Sequence, residues 1–147
     1  MPRKKQNHTL AVDSNYARFL ESMVPFGIAV VESKFRLDRD KYFETESKRL
    51  SAAWKCTPVE VGDEYFEADA ELSVKLTAPK QKKPLVEIMA TFRMHIHAAK
   101  PINQEYVNRF TNSEVRILVW PYFREYVTGV CGRMHIPPIV LPVSIKD

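Results

Sequence analysis

Between residues 85 and 99, every second residue is apolar without a break. Val86, Ile88, Ala90, Phe92, Met94, Ile96 and Ala98 fall on one side of an extended chain, because successive side chains of a strand point to opposite faces. Residues 65–77 repeat the pattern: Phe66, Ala68, Ala70, Leu72, Val74 and Leu76 alternate with Tyr65, Glu67, Asp69, Glu71, Ser73, Lys75 and Thr77. Strands apolar on one side only belong to an antiparallel sheet with one covered face and one wet face. Residues 79–84 (PKQKKP) form the hairpin loop between these two strands. Upstream, Leu50, Ala52, Trp54 and Cys56 mark a strand over 50–57, followed by a turn from Pro58 to Asp63. Residues 28–37, rich in β-branched side chains, predict another strand. Strict alternation puts Val31, Ser33, Phe35 and Leu37 on one face and Glu32, Lys34 and Arg36 on the other.

Two stretches carry the helical period instead. Asp13 or Ser14 can cap a helix whose apolar face is Tyr16, Phe19, Leu20, Met23 and Val24, ended by Pro25 and Gly27. Asn112 or Ser113 can cap a second helix bearing Ile117, Leu118, Tyr122, Tyr126 and Val130, with Gly129 and Gly132 near its end. Pro121 inside it lacks an amide and predicts a kink. Residues 38–49 read as a charged connection holding Tyr42 and Phe43, and 102–112 as a linker with room for a helical turn. From Ile136 the chain is too proline-rich for helix and reads as an extended apolar arm. The expected fold is α+β: a four-stranded antiparallel sheet with helices packed on one face. One domain over 13–147 follows a flexible basic tail, 1–12.

Charge narrows the function classes. The net charge of +4 is scattered: Arg3, Lys4 and Lys5 at the start, Lys80, Lys82 and Lys83 in the hairpin, and an acidic run (Glu60, Asp63, Glu64, Glu67, Asp69, Glu71) between them. Nucleic acid needs Lys and Arg gathered on one surface, so it is not an expected partner. No apolar run approaches the ~20 residues a spanning helix needs, so membrane insertion is not expected. Cys56 and Cys131, the only cysteines, have neither metal nor redox spacing and read as reduced thiols of a cytoplasmic protein.

Catalytic chemistry finds little footing. His95 and His97 share a strand face, but Glu87 is too far along the strand to join them as a ligand, and no metal is expected. With four glycines in the chain, phosphate-cradling loops and nucleotide cofactors are not expected. The acidic stripe of Glu67, Asp69 and Glu71 reads as a solvated face, so the chain is not expected to be an enzyme. Tyr42 and Phe43 either tuck under their loop or line a binding groove.

The C-terminal half carries a resemblance. Trp120-Pro121-Tyr122-Phe123-Arg124-Glu125-Tyr126-Val127-Thr128 is similar to the Phe-Pro-Tyr-Ala-Arg-Glu-x-Ile-Thr of the SecB family of export chaperones. The spacing continues through Arg133 to Ile136-Pro137, where the family has Phe-Pro. Leu141-Pro142-Val143 then resembles Leu-Ala-Pro-Val with one residue deleted. Leu85-Val86-Glu87-Ile88 resembles the family's Leu-x-Glu-Val, and the likeness spans about residues 64–143. It implies a dimer of dimers (a homotetramer) that holds unfolded or precursor polypeptides in extended form, with no cofactor. The groove residues it implies are Tyr42 and Phe43 in the connection, Trp120, Tyr122 and Phe123 on the helix, and Ile136, Pro137, Ile139 and Leu141 on the arm. It also implies that Glu32 and Glu87 dock the SecA motor. Typical members are acidic, whereas this chain is basic, with Lys34 and Arg36 beside Glu32. The alternative is a dedicated adaptor for one partner, such as a chaperone for the antitoxin of a toxin–antitoxin pair.

Overall fold

The computed structural model describes residues 13–145; the expected basic tail, 1–12, lies outside the described residues. Helix α1 spans Ser14–Ser22, and the Asp13 carboxylate caps it by accepting from the Asn15 and Tyr16 amides. Strand β1 (Val24–Leu37) leads to the short helix α2 (Arg39–Glu44), capped by Asp38. Strands β2 (Arg49–Val61), β3 (Tyr65–Thr77) and β4 (Val86–His97) follow, then α3 (Gln104–Asn112) and α4 (Val115–Met134). The sheet is antiparallel throughout, in the order β1-β4-β3-β2. The sequential neighbours β1 and β2 therefore occupy opposite edges, and the connection bearing α2 crosses between them.

The two central strands match the alternation residue for residue. Phe66, Leu72 and Val74 on β3 and Val86, Ile88, Met94 and Ile96 on β4 are buried beneath the helices. The edges depart from it. In β1 the register shifts between Val30 and Glu32, so Val31 is an inserted residue. Each side of such a bulge alternates correctly, but the faces change hands across it. Ser33, Phe35 and Leu37 face the helices as expected; Val31 does not belong with them, and Ile28 and Val30 take the helix side opposite Met94 and Phe92. In β2 a bulge between Pro58 and Glu60 lets the strand run on to Val61, where a turn was expected.

Other departures have local causes. Val24 joins β1 because Met23 is already extended. The expected linker over 102–112 contains α3: the Asn103 side chain accepts from the Glu105 amide, and Val107 and Phe110 bury against the sheet. Ser113 ends α3 rather than starting α4, its hydroxyl oxygen 2.7 Å from the Arg109 carbonyl. Residue 114 is the N-cap of α4, which stays helical through Pro121. At one end of the sheet α1 seals the core, with Phe19 stacked 6.2 Å from Phe66 and Tyr16 5.5 Å from Tyr106. At the other end α2 is pinned by the Asp38 amide donating to the Leu85 carbonyl (2.8 Å) and by Arg39 Nη1 donating to the Met134 carbonyl (2.9 Å).

Candidate functional site

Helix α4 carries the aromatic run, and its period sorts those residues. Val119, Trp120, Phe123, Val127 and Val130 point into the core. Tyr122 and Tyr126, a turn apart, come off its flank. Phe123 meets Phe92 edge-on at 6.5 Å and Tyr126 meets it at 6.2 Å, which fixes α4 over β4. No strand continues the sheet beyond β1 among the described residues, and α4 does not reach across it. A groove of about 350 Å³ remains between α4 and β1. Its floor is Ile28, Val30 and Phe92, and its wall is Tyr122, Tyr126, Gly129 and Val130. Glu125 and Arg133 stand at its rim. Val30 is 45% exposed and Tyr122 48%, so the groove opens to solvent.

Past α4 the chain reverses at His135, which takes a left-handed conformation (φ 53°) and donates its amide to the Cys131 and Gly132 carbonyls. The apolar arm then folds back. Ile136, Leu141 and Ile145 are buried, and Trp120 Nε1 donates to the Pro142 carbonyl at 2.9 Å. A second cleft of about 440 Å³ lies between the start of α4 and this arm, lined by Ile117, Trp120, Pro121, Val143 and Ile145 among others.

The residues singled out in the sequence therefore divide. Tyr42, Trp120, Phe123, Ile136 and Leu141 are buried within the chain, although Trp120 borders the second cleft. Tyr42 tucks in, edge-on to Phe43 at 5.1 Å and under the Lys48 ammonium at 4.4 Å. Phe43 is 57% exposed with Arg39 against its ring, Pro137 is exposed and Ile139 half-buried. Of the nine, only Tyr122 lines the groove beside β1. Ile28, Val30, Phe92, Tyr126 and Gly129 were not singled out. The first two were hidden by the bulge, the others by reading as ordinary core or helix-end positions.

The other sheet face is polar and largely self-paired. Arg93 donates to both Asp69 oxygens at 2.8 Å, a pairing that raises the pKa of the guanidinium further. His95 Nδ1 lies 3.1 Å from Glu67, and Lys75 pairs with Glu87 at 3.5 Å. Glu32 and Glu87 lie on this face, opposite Thr91 and Arg36 respectively. Phe26 packs against His95 and His97, and Tyr65 stacks on His95. Among the described residues no three His, Cys, Asp or Glu side chains converge to hold a metal, and no helix is long and apolar enough to cross a membrane. Cys56, under the helix-side face, has its thiol pushed up to about 12 by burial, with Asp69 adding to the shift. It stays protonated at neutral pH and makes a poor nucleophile.

No family model matches the sequence, and no curated protein matches it. Among solved structures, the chain superimposes on a SecB-like chaperone from Mycobacterium tuberculosis, solved in complex with a ChAD peptide from the HigA1 antitoxin. The TM-score is 0.66 over 86% of this chain and 93% of that one, at 16% identity. The fold is SecB-like. A protein of unknown function from Streptococcus agalactiae aligns more loosely, with a TM-score of 0.44 and 12% identity over 82% of this chain and 96% of that one.

Proposed function

We propose that this chain is a SecB-like holding chaperone that binds non-native polypeptide in extended form and keeps it from aggregating. One observation carries the reading: the helix-side apolar surface continues past the helices onto β1, leaving Val30 (45% exposed) uncovered beside an aromatic wall and Phe35 (47% exposed) open farther along the strand. Monomeric proteins seldom leave contiguous apolar surface exposed unless something binds it. The SecB-like fold supports the reading. Phe43, Tyr122 and the arm residues Pro137 and Ile139 extend the available surface, and Trp120 does so through the second cleft.

The energetics favour long segments. Burying one large apolar side chain contributes roughly 1.5–3 kcal/mol, whereas association and ordering cost on the order of 4–15 kcal/mol. Several anchors must therefore engage together, and assembly into a homotetramer would repeat the grooves and add avidity. Folded clients hide such segments and are not held. A partner docking on Glu87 would have to displace Lys75.

The deciding measurement is light scattering of an aggregating client in the presence of the purified protein. Suppression at stoichiometric amounts with several unrelated clients is the expected result; no suppression with any client would refute the reading. The solved complex with an antitoxin peptide favours one second reading, a chaperone dedicated to a single antitoxin-like partner in the cytoplasm. That reading predicts suppression for one client alone.

A further inference from the structure

On the polar face of the sheet, opposite the helices, His95 and His97 project half-exposed from β4. Their ring centres are 5.1 Å apart. Two imidazoles that share one metal ion, each at about 2.1 Å and at a near-tetrahedral angle, have ring centres about 5 Å apart. Both rings are also held in place. The register sets His95 opposite Glu67 and His97 opposite Tyr65 on β3. The Tyr65 ring stacks on His95 at 4.9 Å, and its hydroxyl donates to Glu60 at 2.6 Å. Phe26, at a register shift in β1, packs edge-on against both histidines, at 5.9 and 5.1 Å. His95 Nδ1 lies 3.1 Å from Glu67 Oε1. An ionised carboxylate only accepts, so Nδ1 carries the hydrogen and the Nε2 lone pair is free. A metal-binding histidine commonly has its second nitrogen tied to a carboxylate in this way. Neighbouring cations do not compete: Arg93 is committed to Asp69 and Lys100 to Glu64. Glu60 and Glu67 give the cluster a negative surround that draws in positive ions.

We propose that His95 and His97 bind a divalent transition metal ion through their two imidazoles, with Glu67 as the positioning residue for His95. The donors set the class of ion: imidazole suits copper, nickel and zinc, and copper is bound most tightly. Structural zinc sites close with four protein ligands and catalytic ones with three. Two ligands leave the remaining positions to water or to a donor on a bound molecule, so this is a labile site and not a structural or catalytic centre.

The test is titration of the full chain with Cu²⁺ alone. Calorimetry gives the stoichiometry, and electron paramagnetic resonance gives the ligands. The expected result is one ion per chain with two imidazole nitrogens coupled to it. His95→Gln and His97→Gln each weaken binding at least about tenfold and remove one nitrogen from the spectrum, with the circular dichroism spectrum unchanged. Replacing the other two histidines, His8→Gln with His135→Gln, leaves binding as it was. Glu67→Ala weakens binding about tenfold while both nitrogens stay coupled, and Glu67→Gln, which can still accept from Nδ1, recovers part of the loss. Undiminished affinity in His95→Gln or His97→Gln overturns the proposal. So does loss of binding in the His8 and His135 variant, or the absence of saturable binding. Half an ion per chain shows that the metal bridges two copies and overturns a site within one chain. Undiminished affinity in Glu67→Ala overturns the positioning role.

Discussion

Two aromatic clusters sit on the same side of this sheet with opposite fates. At the β3 end, Phe66, Phe110, Phe19, Tyr16 and Tyr106 pack ring against ring, and α1 seals them in. On the β1 flank, Phe92 lies beneath Phe123 and Tyr126, while Tyr122 and Val30 stand half-exposed at a groove that no further helix covers among the described residues. The residue types are the same; the difference is one covering helix. Aromatic content therefore does not distinguish core from binding surface, and the distinction lies in which cluster receives a lid. The sealed cluster should govern stability and the open one should govern capture.

The largest effect expected from breaking this contrast is Phe66→Ala. The ring is fully buried and touches both Phe19 and Phe110, so its removal leaves a cavity and costs roughly 3–5 kcal/mol. Denaturant unfolding monitored by circular dichroism measures it. A cost under about 1 kcal/mol would mean that the α1 end is not the sealed one.

That contrast was only half legible in the sequence. Strands β3 and β4 have a neighbour on each side and one buried face, so their alternation declares both the strand and its inner side. The edge strands carry bulges at Val31 and Val59. β-Branched residues there look like any other strand position, so an alternation count runs through them and assigns Ile28 and Val30 to the wrong face. Helix α3 reads as no more than a helical turn in a linker because it is short and polar, and its signals are the Asn103 cap and three buried residues, Val107, Phe110 and Thr111. The site suffers from the same limit. The aromatic content of α4 is plain in the sequence, but the burial of Trp120 depends on an arm whose return path no local pattern encodes.

Next in size is the latch that holds α1 down. Tyr16 Oη donates to Glu114 Oε2 at 2.7 Å, and the Arg109 guanidinium lies 3.9 Å from the Tyr16 ring centre. Burial alone would raise the Glu114 carboxyl. Hydrogen bonds from Ser113, Tyr16 and its own amide, together with Arg109, outweigh burial and hold it below the usual 4.5. Because the folded carboxyl is the more acidic one, its stabilisation is fully present above pH 4.5 and is lost as pH falls through the folded value. Tyr16→Phe keeps the ring and removes the donor, at a cost of about 1–2 kcal/mol near neutral pH. Thermal unfolding from about pH 6 to about pH 3 should destabilise the unmodified protein more than the variant, so their melting temperatures converge in acid. Parallel curves would remove Glu114 from the latch.

A smaller effect is expected at the arm. Trp120→Phe loses the donor to the Pro142 carbonyl at a cost of about 1 kcal/mol. The cost should be local, read as faster hydrogen exchange across residues 136–145 with α3 and β3 unchanged. Uniformly faster exchange would show that the arm is part of the global core rather than a strap laid on it.

The smallest stability effect falls on the open cluster. Tyr122 is half exposed at the mouth of the groove and has no hydrogen-bond partner among the described residues. Tyr122→Ala should therefore shift unfolding by no more than about 0.5 kcal/mol. Its effect on capture should be the reverse. One aromatic anchor contributes roughly 1.5–3 kcal/mol to a bound segment, so client affinity should fall about tenfold or more. The matched measurement is aggregation suppression by Tyr122→Ala beside Phe66→Ala, each at a temperature where both are folded. If the buried variant retains suppression and the surface variant loses it, stability and capture reside in separate clusters. If Tyr122→Ala suppresses aggregation as well as the unmodified protein does, the groove beside β1 is not where clients are held, and the exposed ring of Phe43 on α2 becomes the surface to test.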